Sequence, residues 1–476
     1  MLFNSLQFAV FFTITYSLYI ILNHRRQNTL LLIASYVFYA YWDYRFLSVI
    51  LVLTVFNYIF GIRIHQSSQV KERKIWLTLS ICLNLGILAF FKYFNFFTGS
   101  LQSLFSFFGC SLGIGLLHII LPLGISFYIF RILTYSIDIY RKELTPARNI
   151  FDLAVYVAFF PLVLAGPIER AKSLLPQIAN KREVGPVNFC EGGWLIFYGL
   201  FKKIFIADNM AKIVSQIFVS NAMGNGVLVL LGSYAFAFQI YADFSGYSDI
   251  ARGVCRLMGF DIMENFKFPY FAVNPSDFWR RWHISLSTWF RDYVYIPMGG
   301  SRVPPLFLYR NLMITMVLAG LWHGASWVFV IWGFYLGVLL VIYHANKLIF
   351  SSLPLPKISI SPRISFCVKA LVTFNLVSLG WLIFRAESFG QLWSMLHSLI
   401  FKFELVNGIG VRVILLRMFA LVWLMFLIDA LQFRKNDLFI ILKRPVFIRF
   451  ALYLLMLSLM YIYGDFGEKE FIYLQF

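Results

Sequence analysis

Apolar runs of roughly twenty residues recur along this chain of 476 residues, and they limit what it can fold into. An α-helix needs a run of about 20 apolar residues to cross the hydrocarbon core of a bilayer. Inside the bilayer the backbone must satisfy its own hydrogen bonds, so only helices and closed barrels can span it. With 13% charged residues and a mean hydropathy of +0.75, the chain has too little polar surface for a soluble globule. The sequence therefore predicts an all-α integral membrane protein.

The apolar segments predict about eleven transmembrane helices plus re-entrant or interfacial ones. We interpret residues 1–476 as a single multi-spanning membrane domain, since the sequence contains no internal repeat and no second soluble domain. Twelve apolar segments are the candidates for these spans, and they lie near residues 3–22, 28–42, 46–62, 75–91, 114–139, 192–207, 227–246, 311–322, 325–345, 366–384, 411–431 and 446–463.

Positive charge follows alternate spans, which predicts an orientation. The net charge of +19 is carried largely by loops between apolar runs, so the positive-inside rule explains it better than nucleic-acid binding does. The basic loops after residues 22, 62 and 139 then face the cytoplasm and the N-terminus faces outside. The first apolar run has no basic residues before it and no small-residue cleavage site, which indicates a retained helix.

Two apolar segments contain residues that do not suit a plain spanning helix. Pro161, Gly166 and Pro167 interrupt the run at 151–170, which predicts a bent or re-entrant segment. Lys202 and Lys203 fall within the predicted span 192–207, and we expect their ammonium groups to extend to the membrane interface.

His323 is the strongest candidate for chemistry. It lies in the turn Trp322-His323-Gly324 between two apolar stretches, where an ionisable group is costly unless it is used. A neutral imidazole has an ordinary pKa of about 6.5, which suits a general base near neutral pH. A His that only bonds a helix carbonyl is the structural alternative. Gly320 and Gly324 permit close approach of backbone or substrate.

His283 is the second candidate, in the segment WRRWHISLSTWF. It either orients a substrate or a neighbouring group, or has a structural role. Two His without a carboxylate at ligand spacing make a weak metal site, so we predict no metal. The surrounding Trp residues are predicted to share one helix face, and the Arg residues to face lipid phosphates or an anionic donor: Trp279, Trp282 and Trp289, and Arg280 and Arg281.

The segment YADFSGYSDIARG at residues 241–253 is a further polar cluster. We interpret Asp243 and Asp249 as caps at a helix end. Ser245 has no GxSxG context, so we do not expect a serine nucleophile. The basic residues of 247–310 predict a cytoplasmic stretch that binds lipid head groups or the phosphates of a coenzyme or carrier.

Four blocks of the chain resemble the bacterial branch of the membrane-bound O-acyltransferases, and within it the alginate-type acetyltransferases. The D-alanyl transferases of teichoic acid synthesis are similar around WHISLSTWFRDYVY, but the continuation IPMGGSR resembles the alginate type. The blocks are PLVLAGPIER (161–170), YADFSGYSDIARG (241–253), NFKFPYFAVNPSDFWRRWHISLSTWFRDYVYIPMGGSR (265–302) and LAGLWHGASWVFVIWG (318–333).

The resemblance implies a fold, site residues and partners. It implies a ring of helices around a central tunnel with a cytoplasmic funnel, His323 as the catalytic residue and His283 as its partner. Substrate would contact the residues around them, namely Trp279, Arg280, Arg281, Trp282 and Trp322. The C-terminal FGEKEFIYLQF resembles the terminal motif of alginate-type members, which implies that Tyr473 is a transient acyl acceptor; an interfacial aromatic anchor is the alternative. The resemblance also implies an extracytoplasmic, hydrolase-like partner acetyltransferase.

Acyl transfer is the leading hypothesis for this chain. It predicts a protein of the bacterial inner membrane that passes acetyl groups from a cytoplasmic thioester, acetyl-CoA or an acyl carrier, to an extracytoplasmic cell-surface polysaccharide, with no bound cofactor and in contact with membrane lipids. Transfer of D-alanine to teichoic acid and acetylation of peptidoglycan are alternatives within the same enzyme class. A transporter or flippase is the alternative outside it, and such proteins typically contain inverted repeats.

Overall fold

The computed structural model describes residues 1–111, 113, 115–219, 224–351, 361–404, 409–467 and 471–472. Within these ranges the secondary structure consists of α-helices with short 3-10 and π-helical turns, and no strand occurs among them. Eight helical stretches are long and apolar enough to cross a membrane, and the shorter apolar helix Leu6–Ile21 precedes them. This arrangement confirms the predicted all-α membrane class.

The described chain forms two compact units. The first comprises Met1–Ile196 and Ser248–Met263, and the second comprises Phe197–Tyr247 and Glu264–Phe476. The helices of the first unit, the last of which continues into the second unit, are α1 (Leu6–Ile21), α2 (His24–Asp43), α3 (Leu47–Gln66), α4 (Val70–Leu88), α5 (Phe94–Phe107), α6 (Ile125–Tyr140), α7 (Ile150–Ala158), α8 (Phe160–Val163), α9 (Ala171–Ala179) and α10 (Pro186–Leu200).

The second unit contains the helices that carry both candidate histidines. The helix α12 begins in this unit and ends in the segment assigned to the first. The helices are α11 (Asp208–Val219), α12 (Gly226–Leu257), α13 (Pro275–Trp279), α14 (Ile284–Phe290), α15 (Pro305–His323), α16 (Trp327–Ser351), α17 (Pro362–Arg385), α18 (Phe389–Phe401), α19 (Ile409–Lys435) and α20 (Val446–Tyr463).

The first unit departs from one predicted span and confirms the predicted break. Helix α6 begins at Ile125, not at 114, because Gly124 before it has a left-handed backbone (φ 71°). A Cβ at Gly124 would overlap the Val163 carbonyl, so the position requires glycine. The run 151–170 is broken as predicted: α7 ends at Ala158, α8 is a single turn, and 164–170 forms no helix. Residues 164–170 are nevertheless buried in protein, as non-helical backbone at membrane depth requires.

In the second unit two predictions about α12 are wrong. The helix continues to Leu257, beyond the predicted end at residue 246. Asp243 therefore lies inside the helix and is not a terminal cap. Its carboxyl group is 4% exposed and pairs with a lysine, which replaces the hydration that a helix end would have provided.

A π-helical turn, Phe201–Ala207, joins α10 to α11. A π-turn holds an extra residue per turn and often occurs at functional sites. All seven of its residues are buried, including Lys202 and Lys203. The predicted extension of these lysines to the membrane interface is wrong.

Candidate active site

His283 lies in a turn between α13 and α14, with a left-handed backbone at φ 42° and ψ 53°. This conformation is costly for a residue with a Cβ, so the surroundings must hold it in place. The buried Asn265 does so from the preceding loop: its carbonyl accepts from the Ile284 N–H at 2.9 Å, and its Oδ1 accepts from the Ser285 hydroxyl at 2.9 Å. Asn265 was not among the site residues predicted from the sequence.

The turn at His283 also separates the tryptophans that were predicted to share a helix face. Trp279 is the last residue of α13, Trp282 lies in the turn, and Trp289 lies in α14. The prediction is wrong because the helical period does not continue through a left-handed residue.

His323 is the last residue of α15, and its side chain is buried. Gly324 ends the helix with extended backbone, and a Cβ at this position would overlap the Phe329 ring. One turn earlier, a Cβ at Gly320 would overlap the Phe329 carbonyl and crowd the Gly333 backbone. The predicted close approach of backbone is therefore confirmed at Gly320, where it brings α15 and α16 together near the histidine, whereas the close neighbour of Gly324 is a side-chain ring.

The two histidines come together in the second unit. Their ring centroids are 6.5 Å apart, and the Trp322 ring lies 5.7 Å from His283 and 5.1 Å from His323. This separation places both imidazoles within reach of one small group, such as a hydroxyl or a thioester carbonyl. The spacing in sequence could not predict this distance, because His323 ends α15 whereas His283 lies just before α14.

Aromatic rings enclose the pair. His323 packs against Trp332 at 4.9 Å and Phe384 at 5.4 Å, and His283 packs against Phe244 at 4.6 Å. Behind them, Trp381 lies 4.6 Å from Trp282 and 6.0 Å from Trp332. These rings and Trp322 form an aromatic wall around a low-dielectric site.

Burial lowers the pKa of His283 to about 3, because a charged imidazolium would lose its hydration there. His283 lies outside the helices that are long enough to span a membrane. Its imidazole is neutral at physiological pH and has little affinity for a proton. This property favours a hydrogen-bonding role for His283 over a role as base.

The predicted substrate-contacting residues are three tryptophans and two arginines. Trp322 and Trp282 lie in the aromatic wall, and Trp279 contacts Trp332 at 6.2 Å. Arg280 is exposed. Arg281 is engaged within the protein, since its Nε donates to Asp277 at 2.9 Å and its guanidinium lies 5.4 Å from the Phe433 ring.

A buried charged cluster in the same unit was missed in the prediction from sequence. Lys203 Nζ lies 2.9 Å from Asp208 Oδ1 and 2.9 Å from Asp243 Oδ1, with all three side chains at most 4% exposed. The neighbouring Lys202 donates to the Ser245 hydroxyl at 3.2 Å and lies over the Tyr198 ring. Two adjacent lysines in an apolar run were the available signal, since buried charge at membrane depth requires a partner.

A second buried carboxylate was also missed. Asp429 of α19 accepts hydrogen bonds from the hydroxyl groups of Tyr241 at 2.7 Å and Tyr198 at 3.2 Å. The Tyr241 ring in turn packs 6.3 Å from Trp282. The Asp429 carboxylate thus contacts the aromatic wall indirectly, through Tyr241.

Two further predictions concern a metal and the C-terminus. Across the ranges described above, no group of three or more His, Cys, Asp or Glu residues is placed to hold a metal ion. Tyr473, the predicted acyl acceptor, lies outside the described residues. Its neighbours Phe471 and Ile472 are described and buried.

Comparison of the sequence with known proteins assigns the chain to a family. The profile of the MBOAT, membrane-bound O-acyltransferase family matches residues 31–385, which include both histidines and the enclosing aromatic residues. The chain belongs to the membrane-bound O-acyltransferase family. It is therefore a multi-pass membrane protein and an O-acyltransferase, which decides between acyl transfer and transport and confirms the predicted enzyme class.

Individual relatives extend the comparison to most of the chain. A protein of Azotobacter vinelandii named "Probable alginate O-acetylase" is 42% identical over 405 residues, covering 85% of this chain and 78% of the relative. A peptidoglycan O-acetyltransferase of Helicobacter pylori is 33% identical, covering 84% of this chain and 80% of the relative. A teichoic acid D-alanyltransferase of Bacillus subtilis is 31% identical over 56% of this chain and 69% of the relative. The resemblance that was read from the four sequence blocks is thereby confirmed.

Proposed function

We propose that this membrane-bound O-acyltransferase takes acetyl groups from a cytoplasmic thioester, acetyl-CoA or an acyl carrier, and passes them across the membrane for O-acetylation of an extracytoplasmic polysaccharide of the alginate type. The observation that carries the proposal is the convergence of His283 and His323 inside the aromatic wall. The similarity to alginate O-acetylases over 85% of the chain supports an acetyl group and a polysaccharide acceptor.

His323 acts as the general base in this proposal. Its imidazole takes the proton from an acceptor hydroxyl, the hydroxyl oxygen bonds to the thioester carbonyl carbon, and the carbon–sulfur bond breaks. The thiolate leaves and receives a proton, so the products are an ester and a free thiol. The neutral His283, 6.5 Å from His323 between ring centroids, orients the reacting group by hydrogen bonding.

Replacing the base tests the proposal. His323→Ala should reduce polysaccharide acetylation by about 100-fold or more, since general bases contribute about that much to rate. His397→Ala is the matched control, because His397 is exposed on α18 and contacts Phe401. Acetyl content is measured on isolated polysaccharide at equal membrane protein levels. Unchanged acetylation in His323→Ala would remove this assignment.

The acyl-acceptor role of Tyr473 is a separate prediction. Tyr473→Phe keeps the ring and removes only the hydroxyl that would carry the acyl group. We expect transfer to the polysaccharide to be lost while the protein still accumulates in the membrane. Full transfer by Tyr473→Phe would leave the aromatic-anchor alternative in place.

Acetylation of peptidoglycan is a second candidate, favoured by the similarity to the Helicobacter pylori enzyme over 84% of this chain. The similarity to teichoic acid D-alanyltransferases covers less of the chain. Mass spectrometry of cell-surface polymers from strains with and without the protein distinguishes these outcomes. A mass change of one acetyl group on peptidoglycan, and none on a secreted polysaccharide, would replace our proposed acceptor.

The proposed reaction also predicts where the protein is located and which kind of partner it has. We propose an inner-membrane protein whose N-terminus faces outside, so that the basic loops face the cytoplasmic thioester. An extracytoplasmic acetyltransferase would receive the acetyl group and pass it to the polysaccharide. Purification of the tagged protein from detergent-solubilised membranes, followed by identification of co-purifying extracytoplasmic proteins, tests the partner.

A further inference from the structure

The described C-terminal residues are bound inside the second unit. The Ile472 backbone N–H donates to Asp243 Oδ2 at 2.8 Å. The Phe471 ring is fully buried and stacks on Tyr247, with centroids 4.6 Å apart and planes within 22°. A backbone hydrogen bond and ring packing therefore hold the segment Phe471–Ile472 against α12.

The carboxylate that accepts this hydrogen bond uses its two oxygens for different partners. Oδ1 of Asp243 pairs with Lys203 at 2.9 Å, while Oδ2 receives the Ile472 N–H. Lys203 is shared with Asp208, so one ammonium faces two carboxylates. A backbone N–H directed at a buried carboxylate makes a stronger hydrogen bond than one between neutral groups.

The bound segment is adjacent to the candidate active site. The Phe471 ring lies 5.4 Å from Phe244, and Phe244 lies 4.6 Å from the His283 ring. Asp243 and Phe244 are consecutive in α12, so one turn of helix contacts the C-terminal segment and the histidine. A cavity of about 640 Å³ also borders this turn, with Lys203, Asp243 and Ile472 among its lining residues.

We propose that Asp243 is a positioning residue that holds the C-terminal segment beside His283, and that Lys203 and Asp208 fix the orientation of its carboxylate. The attachment itself is a property of the fold. Its importance for acyl transfer rests on the proposed function. Asp243 does not touch the reacting atoms in this proposal, but it fixes the segment Phe471–Ile472, which directly precedes Tyr473 in the sequence.

Accessibility of residue 472 tests the attachment without reference to activity. The reporter is Ile472→Cys, which keeps the backbone N–H, in a background where the exposed Cys82, Cys110, Cys190 and Cys367 are replaced by Ser. Ile472 is 4% exposed, so the reporter should react slowly with N-ethylmaleimide in purified protein. Adding Asp243→Asn should raise the labelling rate by about tenfold or more, because an amide has one acceptor oxygen for two donors.

Asp249→Asn is the matched control for this measurement. Asp249 lies on the same helix and pairs with Arg252 at 3.6 Å. It should leave the labelling rate of the reporter unchanged. Equal labelling of the reporter with and without Asp243→Asn, in protein that elutes as a single species on gel filtration, would overturn the proposal.

A second pair of variants leaves the charged cluster intact and measures how much the attachment of the C-terminal segment contributes to acetyl transfer. Ile472→Pro removes the N–H donor, whereas Ile472→Ala keeps the donor and shortens the side chain. We expect Ile472→Pro to lower polysaccharide acetylation by about tenfold or more relative to Ile472→Ala. Equal acetylation by the two variants would also overturn the positioning role.

The two measurements separate this inference from the proposed function. If the labelling rate responds to Asp243→Asn but the unsubstituted protein acetylates no polysaccharide, the attachment stands and the proposed function fails. If the unsubstituted protein acetylates and neither variant pair differs, the function stands and Asp243 has no positioning role.

Discussion

At the scale of single residues, the two histidines differ in environment as well as in position. His283 has a strained left-handed backbone held by Asn265, and burial keeps its imidazole neutral. His323 ends a regular helix whose close packing depends on Gly320 and Gly324. Strained residues that the surrounding structure holds firmly often occur at active sites. The contrast favours a positioning role for His283 and a proton-transfer role for His323.

The burial of His283 predicts a pH dependence of stability. The unfolded chain takes up a proton at His283 near pH 6.5, whereas the folded protein does so only near pH 3. Stability should therefore be fully present above pH 6.5 and should fall as the pH drops, by about 2 kcal/mol between pH 7 and pH 5. His283→Gln lacks this titration. Thermal melts at both pH values should show a smaller loss in the variant, and equal losses would contradict the assigned environment.

At the scale of elements, the helices bury polar groups in pairs and networks. In the first unit, Asn57 Oδ1 accepts from Ser80 Oγ at 2.7 Å and from Asn84 Nδ2 at 2.9 Å, which links α3 to α4. In the second unit, the π-helical turn Phe201–Ala207 directs Lys203 towards the carboxylates of Asp208 and Asp243. These contacts satisfy polar groups that water would satisfy in a soluble protein.

Close packing of α15 against α16 gives a prediction at this scale. Gly320→Ala should place a methyl group against the Phe329 carbonyl and the Gly333 backbone. We expect a loss of about 1–3 kcal/mol in stability and reduced acetylation, because His323 lies one turn away on the same helix.

Gly86→Ala in α4 is the control for this substitution. Its added Cβ meets nothing within 4 Å, so the helix should be unchanged or slightly more stable. Thermal unfolding in detergent and acetylation in cells measure the two effects. A Gly320→Ala protein as stable and active as Gly86→Ala would contradict the packing of these helices.

At the scale of the whole molecule, the distribution of positive charge predicts the orientation of the first spans. With the N-terminus outside, the turn between α2 and α3 faces outside and the loop between α3 and α4 faces the cytoplasm. Tyr44, in the first of these, is 75% exposed, and Ser68, in the second, is also exposed.

Cysteine labelling in intact cells measures this orientation. Tyr44→Cys should react with a membrane-impermeant maleimide in cells whose outer barrier has been opened, whereas Ser68→Cys should react only after lysis. Both variants are made in the background that lacks the four exposed native cysteines. The reverse pattern would place the N-terminus inside and would require a different route for the donor.

The sequence by itself determined the membrane class, most of the spanning segments, the break at 151–170 and the selection of His323 and His283 as candidate site residues. These properties follow from local signals: hydropathy over about twenty residues, proline and glycine at a break, and a histidine in an apolar run. The four sequence blocks also sufficed to identify the family, which the match over residues 31–385 confirmed.

Only the tertiary structure decided which residues meet. The 6.5 Å approach of His283 to His323 and the pairing of Lys203 with Asp243 each join residues forty positions apart in sequence. The left-handed turn that separates Trp279 from Trp289 is held by the preceding loop. The attachment of Ile472 to Asp243 spans more than two hundred residues of chain. Local periodicity contains no information on such contacts, because they are fixed by how the helices of the second unit pack and by the need to pair each buried charge.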